Sequence, residues 1–176
     1  MSKLEINIQF CIDENNDSDI WGKYKFIENE CNNIRNLLME HKDMQNILKK
    51  VFDSPHECTM ALRFLQYFTH PDELKIIEKL IPELVDIAIY GSLTNITHSR
   101  KVIGLVNRKW LEENIEGYIE QIPILEPDDE EWKYRRVAEL YVHLGLKKLL
   151  NRHLSFCNSH KSQEIKEIAE DYGFSI

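Results

Sequence analysis

A chain of 176 residues has room for one domain with a sizeable core and is short for two. Its apolar fraction of 43% and charged fraction of 30% fit a soluble globular protein, and no apolar run approaches the roughly 18 residues a membrane span needs. The formal net charge of −8 disfavours a role that grips nucleic acid through its phosphates and suits a partner that is basic overall.

Met1 to Phe10 carries Lys3 and Glu5 and lacks an apolar core segment, so no export signal is expected. Cys11, Cys31, Cys58 and Cys157 are scattered, with no Cys-x-x-Cys pair, and read as reduced thiols. The expected location is the cytoplasm. Leu4, Ile6, Ile8, Phe10 and Ile12 alternate with polar residues, which predicts a strand with one buried face. The polar run from Asp13 to Asp19 reads as a loop. Ile20, Tyr24 and Phe26 continue the alternation on a returning strand of a small hairpin, unless the chain is already helical from Phe26 onward. An unpaired strand edge here would have to be covered, paired or used in a homodimer.

From about Ile27 the period is helical. Ile34, Leu37, Leu38 and His41 share one face, and Ile47, Leu48, Val51 and Phe52 make another. Ser54-Pro55-His56-Glu57 predicts a helix start, with serine as cap, proline in the first turn and glutamate closing a capping box. Met60, Ala61, Phe64, Leu65 and Phe68 follow at helical spacing, and His70-Pro71-Asp72 breaks the helix. Three helix pairs are predicted next. Leu74–Tyr90, interrupted or kinked near Pro82, pairs with Ser99–Val106. Trp110–Ile122, burying Trp110, Leu111, Ile115, Tyr118, Ile119 and Ile122, pairs with Asp128–Leu144, whose stripe is Tyr134, Val137, Ala138, Tyr141 and Leu144. Leu146–Phe156 pairs with Ser162–Tyr172, with Gly173 as a left-handed terminator. The expected organisation is a single domain over residues 1–176, with a strand or hairpin over 1–27, a helical part over 28–73 and helix pairs over 74–176.

One pattern occurs twice. Tyr134-Arg135-Arg136-Val137-Ala138-Glu139-Leu140-Tyr141 is echoed about 31 positions later by Ile165-Lys166-Glu167-Ile168-Ala169-Glu170-Asp171-Tyr172, and Arg100-Lys101-Val102 is a fainter copy. Repetition at this period marks helical units that stack because none buries its apolar face alone. Leu80-Ile81-Pro82-Glu83-Leu84-Val85 resembles the opening of the first helix of a HEAT repeat. Asp128 to Glu131, leading into Tyr134-Arg135-Arg136-Val137-Ala138, resembles the acidic turn and second helix. Glu164 to Ala169 resembles another second helix. The resemblance spans roughly residues 75–173 and implies a mainly α fold: a HEAT-like α-helical repeat stack, an α-solenoid, behind a short N-terminal β-strand or hairpin.

Chemistry-bearing motifs are sparse. His153, Cys157 and His160 have a spacing that brings donors together at a helix end, but the four donors of a zinc site, or three plus water, are not apparent. No metal or cofactor is expected. The chain has no Gly-x-Ser-x-Gly elbow, Walker loop or His-Glu-x-x-His, and the expectation is that it is not an enzyme.

The strongest surface signal is acidic. Nine carboxylates and no lysine or arginine lie between Glu112 and Glu131. Asp128 to Glu131 suit a helix N-terminus; Glu112, Glu113, Glu116 and Glu120 suit a surface that steers a partner. Trp132 beside them is either an interface anchor or a first-turn staple. Lys133, Arg135, Arg136, Lys147, Lys148 and Arg152 on two successive helices, with Arg100, Lys101, Arg108 and Lys109 earlier, keep a nucleic-acid role in view, although Glu131 and Glu139 lie within helical reach of Arg135 and Arg136. By size, charge and lack of active-site motifs the chain looks like the immunity proteins of bacterial toxin systems. That likeness implies a protein partner, a basic toxin domain, met by Glu112, Glu113, Glu116, Glu120 and Trp132.

Overall fold

The computed structural model describes residues 17–124 and 129–173. These form helices α1 (Asp17–Glu40), α2 (Met44–Phe52), α3 (Pro55–Leu65), α4 (Pro71–Tyr90), α5 (Leu93–Ile103), α6 (Arg108–Gln121), α7 (Asp129–Leu144), α8 (Lys147–Ser159) and α9 (Gln163–Asp171). The fold is mainly α. The chain divides into two compact units, Met1–Met44 and Gln45–Ile176.

The strand expected over Leu4 to Ile12 lies outside the described residues. The returning strand is corrected: Ile20, Tyr24 and Phe26 all belong to α1, as do Asp17 to Asp19 at the end of the expected loop. The four-residue step from Ile20 to Tyr24 fits both periods, and Ile27, Cys31 and Ile34 decide it for the helix. Trp21 stacks on Tyr24 with ring centroids 5.1 Å apart, and the Lys25 ammonium lies 5.5 Å from the Trp21 ring. Contacts three and four residues apart are those a helix makes.

In the second unit α4 is the helix on which α5, α6 and α7 pack. Ile77, Leu80, Ile81, Leu84, Val85, Ala88 and Ile89 are buried along it. The break expected at His70-Pro71-Asp72 lies between α3 and α4 and is also the start of α4: His70 caps it, with Glu73 closing a capping box and Pro71 in the first turn. The helix runs unbroken past Pro82, flanked by Leu80, Ile81, Leu84 and Val85, all buried. Burial of this stripe outweighs the roughly 3 kcal/mol that an internal proline costs. At α3, Ser54 is the N-cap and Pro55 opens the helix, but the Ser54 side chain makes no capping bond.

Polar stitches fix helix register. Ser99, fully buried, donates from Oγ to the Leu84 carbonyl at 2.6 Å, and Arg100 reaches the Ala88 carbonyl one turn on at 3.3 Å. Thr59 donates to Asn95 Oδ1 at 2.6 Å, tying α3 to α5. Lys49 pairs with Glu83 at 2.6 Å, tying α2 to α4.

Helix α7 ends in a Schellman motif. Gly145 has φ +68°, Leu146 N–H donates to the Tyr141 carbonyl at 2.9 Å, and Gly145 N–H donates to that of Val142 at 3.0 Å. Leu146 is then buried, which turns the chain into α8. Gly173, φ +65°, follows α9 as expected. The two copies of the repeated pattern fall on α7 and α9, which touch. Their equivalent alanines, Ala138 and Ala169, meet in one core cluster with Leu154, Cys157, Ile165 and Ile168.

Candidate binding face on helices α6, α7 and α8

The expected partner-binding residues begin on α6. Asn107 caps it, its Oδ1 accepting from Lys109 and Trp110 N–H at 2.9 and 3.2 Å. Leu111, Ile115 and Ile119 turn inward, which leaves the intervening glutamates on the outer face. Trp110 and Tyr118, expected in the core, are half-buried and stack on each other at 6.5 Å.

The carboxylates are not a field of bare charge. Glu112 pairs with Arg108 at 3.1 Å, Glu113 with Lys109 at 3.9 Å, and Glu116 with Arg152 of α8 at 3.0 Å. The acidic run drew its cations from the turn before it and from a helix some forty residues away, so linear reading saw only one sign. Glu120 is exposed. No ion pair holds it among the described residues.

Between α6, α7 and α8 lies a cavity of about 370 Å³. Glu116, Glu120 and Arg152 line it together with Tyr134, Tyr141 and Phe156. Tyr134 stacks with His153 at 5.6 Å and with Phe156 at 5.5 Å, and His153 meets Tyr141 edge-on at 5.9 Å. Of the five expected site residues, Glu116 and Glu120 are brought to this cavity; Glu112, Glu113 and Trp132 do not line it. Trp132 sits on the first turns of α7, 47% exposed, with the Arg136 guanidinium 4.2 Å from its ring centre. The cavity's aromatic wall was missed. Its signal was present in Tyr134 and Tyr141, seven apart on α7, and in His153 and Phe156, three apart on α8.

Burial shifts Tyr141, His153, Lys133 and Cys157. Burial, followed by the charge of Glu116, raises Tyr141. Burial lowers His153 against the opposing pull of the Tyr134 carbonyl, lowers Lys133, and pushes the Cys157 thiol up to about 11. Each shift disfavours the charged form. His153 Nε2 lies 2.8 Å from the Tyr134 carbonyl oxygen, so Nε2 carries the proton. The Cys157 thiol, 3.7 Å from the same nitrogen, therefore faces a donor and has no base there to activate it. His160 Nε2 turns to Glu130 at 3.7 Å. Among the described residues no three histidine, cysteine or carboxylate side chains converge as metal ligands.

Three histidines give a pH signature. Burial lowers His98, His143 and His153 below the ordinary 6.5, helped at His98 by Arg63 and Lys101 and at His143 by Arg100 and Lys101. The unfolded chain therefore binds more protons just below 6.5, and stability is expected to fall as pH drops through that value. Melting temperatures between about pH 7.5 and 5.5 should show the slope, and His153→Gln should flatten it while keeping a donor for Tyr134.

The chain matches no protein-family model, no curated protein and no solved structure. The residues themselves carry the functional reading.

Proposed function

We propose that this chain is a non-catalytic protein-binding module built of HEAT-like helix pairs, which acts as an immunity-type protein by occluding a basic toxin domain. The repeat reading is supported by the packing of α4 on α5 and of α8 on α9, and by the equivalent alanines of α7 and α9 sharing a core.

One observation carries the binding reading: the α6–α8 cavity combines an aromatic wall with Glu120, a carboxylate that no ion pair holds among the described residues. A lysine or arginine side chain of the partner would meet ring faces and a carboxylate together. Glu116 would exchange Arg152 for the incoming cation, Glu112 and Glu113 would steer approach along α6, and Trp132 would anchor the rim. The basic residues kept for nucleic acid count against that alternative, because Arg100, Arg135, Arg136 and Arg152 each hold a carboxylate of this chain. Against catalysis, burial leaves the thiol and hydroxyls in their protonated, unreactive forms.

The test is calorimetric titration of the chain with a basic toxin domain encoded by a neighbouring gene, whose absence there would count against the immunity reading. Glu113→Lys, Glu116→Lys and Glu120→Lys together are expected to weaken binding at least about 30-fold, the scale of one interfacial hot spot. Helix content and melting should hold. Unchanged affinity with the fold intact would remove this face from the interface.

A further inference from the structure

Helix α1 has a second period that the expected strand concealed. Ile20, Tyr24, Ile27, Cys31, Ile34 and Leu38 follow one another at steps of four, three, four, three and four, which is a heptad pattern over nearly three repeats. Tyr24, Cys31 and Leu38 take one core position (a) and Ile20, Ile27 and Ile34 the other (d). The positions opposite the seam are Gly22, Asn29 and Asn36. The seam is uncovered from Ile20 to Ile34, with Leu38 half-buried: Ile20, Tyr24, Ile27 and Ile34 are 50%, 51%, 45% and 46% exposed, and Trp21 and Leu37 on its flanks are 58% and 56% exposed. Stripes of the same kind on α4 are buried.

The flanking charges say what covers it. In a parallel, in-register pair the g position of one helix meets the following e position of the other. Lys23 then faces Glu28 of the neighbouring copy, and Glu30 faces its Arg35, each pair recurring at every helix–helix interface by symmetry. Reversing one helix brings Glu28 against its own counterpart and Glu30 against its own, both repulsive. We propose that α1 joins copies of this chain in a parallel, in-register coiled coil, with each Cys31 facing its counterpart across the seam. Isoleucine at every d position, residues without Cβ branching at a, and the apolar flanks Trp21 and Leu37 favour more than two strands.

The full chain is to be weighed by light scattering behind a sizing column over the micromolar range. The expected mass is a multiple of one chain. Ile27→Lys with Ile34→Lys should give a monomer whose melting matches that of the parent at high dilution. Glu28→Lys should weaken association about tenfold, and adding Lys23→Glu should restore it. Mild oxidation should give disulfide-linked chains on a non-reducing gel that vanish in Cys31→Ser. A parent chain that stays monomeric would overturn the proposal and leave the face to the chain's own N-terminal residues or to another protein. An oligomer indifferent to Ile27→Lys with Ile34→Lys, or one that neither responds to Glu28→Lys nor crosslinks at Cys31, would overturn it as well.

Discussion

Replacing Glu139 by alanine is expected to destabilise the protein by about 3 kcal/mol, the lower end of the cost of stranding a buried charge. Its Oε2 accepts from Arg100 at 3.0 Å and from Arg136 at 2.7 Å. The two arginine side chains are only 11% and 12% exposed, and the Nε of each is buried without a partner. Removing the carboxylate leaves two cations facing each other with little water to screen them. Arg100 of α5 also donates to the Ala88 carbonyl of α4 and the Arg136 carbonyl of α7, each at 3.3 Å, so the group that loses its anion is the one tying three helices. A loss of this size lowers the melting temperature by roughly 6–12 °C in a chain of this length. Glu139→Gln, which keeps an acceptor and drops the charge, should fall between. Burial pulls the Glu139 carboxyl upward, but hydrogen bonds and charge from Arg136 and Arg100 outweigh it and hold it below the ordinary 4.5. Its contribution is therefore complete above about pH 4.5 and lost as pH falls through the depressed value. Thermal melts at descending pH should show an acid loss in the parent that is reduced in Glu139→Gln.

Leu84→Ala is the second large effect, at about 2–5 kcal/mol. Leu84 is fully buried on α4, and α4 contacts α5, α6 and α7, so the surroundings cannot collapse from one side to fill the void. The backbone stitch from Ser99 to the Leu84 carbonyl survives the substitution, which confines the loss to packing. Against a typical total of about 5–15 kcal/mol this is a large share. Met60→Ala on α3, at a side chain 72% exposed, should change stability by less than about 0.5 kcal/mol. Chemical denaturation of both variants would separate burial from helix propensity.

Helix identity was legible wherever apolar residues recur at three and four, as in α2 and α4 to α9, because that spacing admits one backbone period. It failed at Ile20, Tyr24 and Phe26, whose even numbering suits a strand equally well. His70-Pro71-Asp72 was legible as a boundary but not as the start of α4, since proline both ends one helix and opens the next. The acidic face was legible as composition only. That Arg152 reaches Glu116 depends on the Gly145 turn that carries α8 back beside α6. The aromatic wall likewise needs α7 and α8 side by side, and no window along the chain contains both.

The thiols carry their own consequence. Cys58 is 3% exposed and Cys157 fully covered, and burial raises both above the ordinary value for a thiol. Alkylation at either must wait for the surrounding packing to open, so its rate reports how often α3 or α8 comes loose. Native thiols thereby supply two internal clocks, one on α3 and one on α8, readable by mass spectrometry without any engineered cysteine.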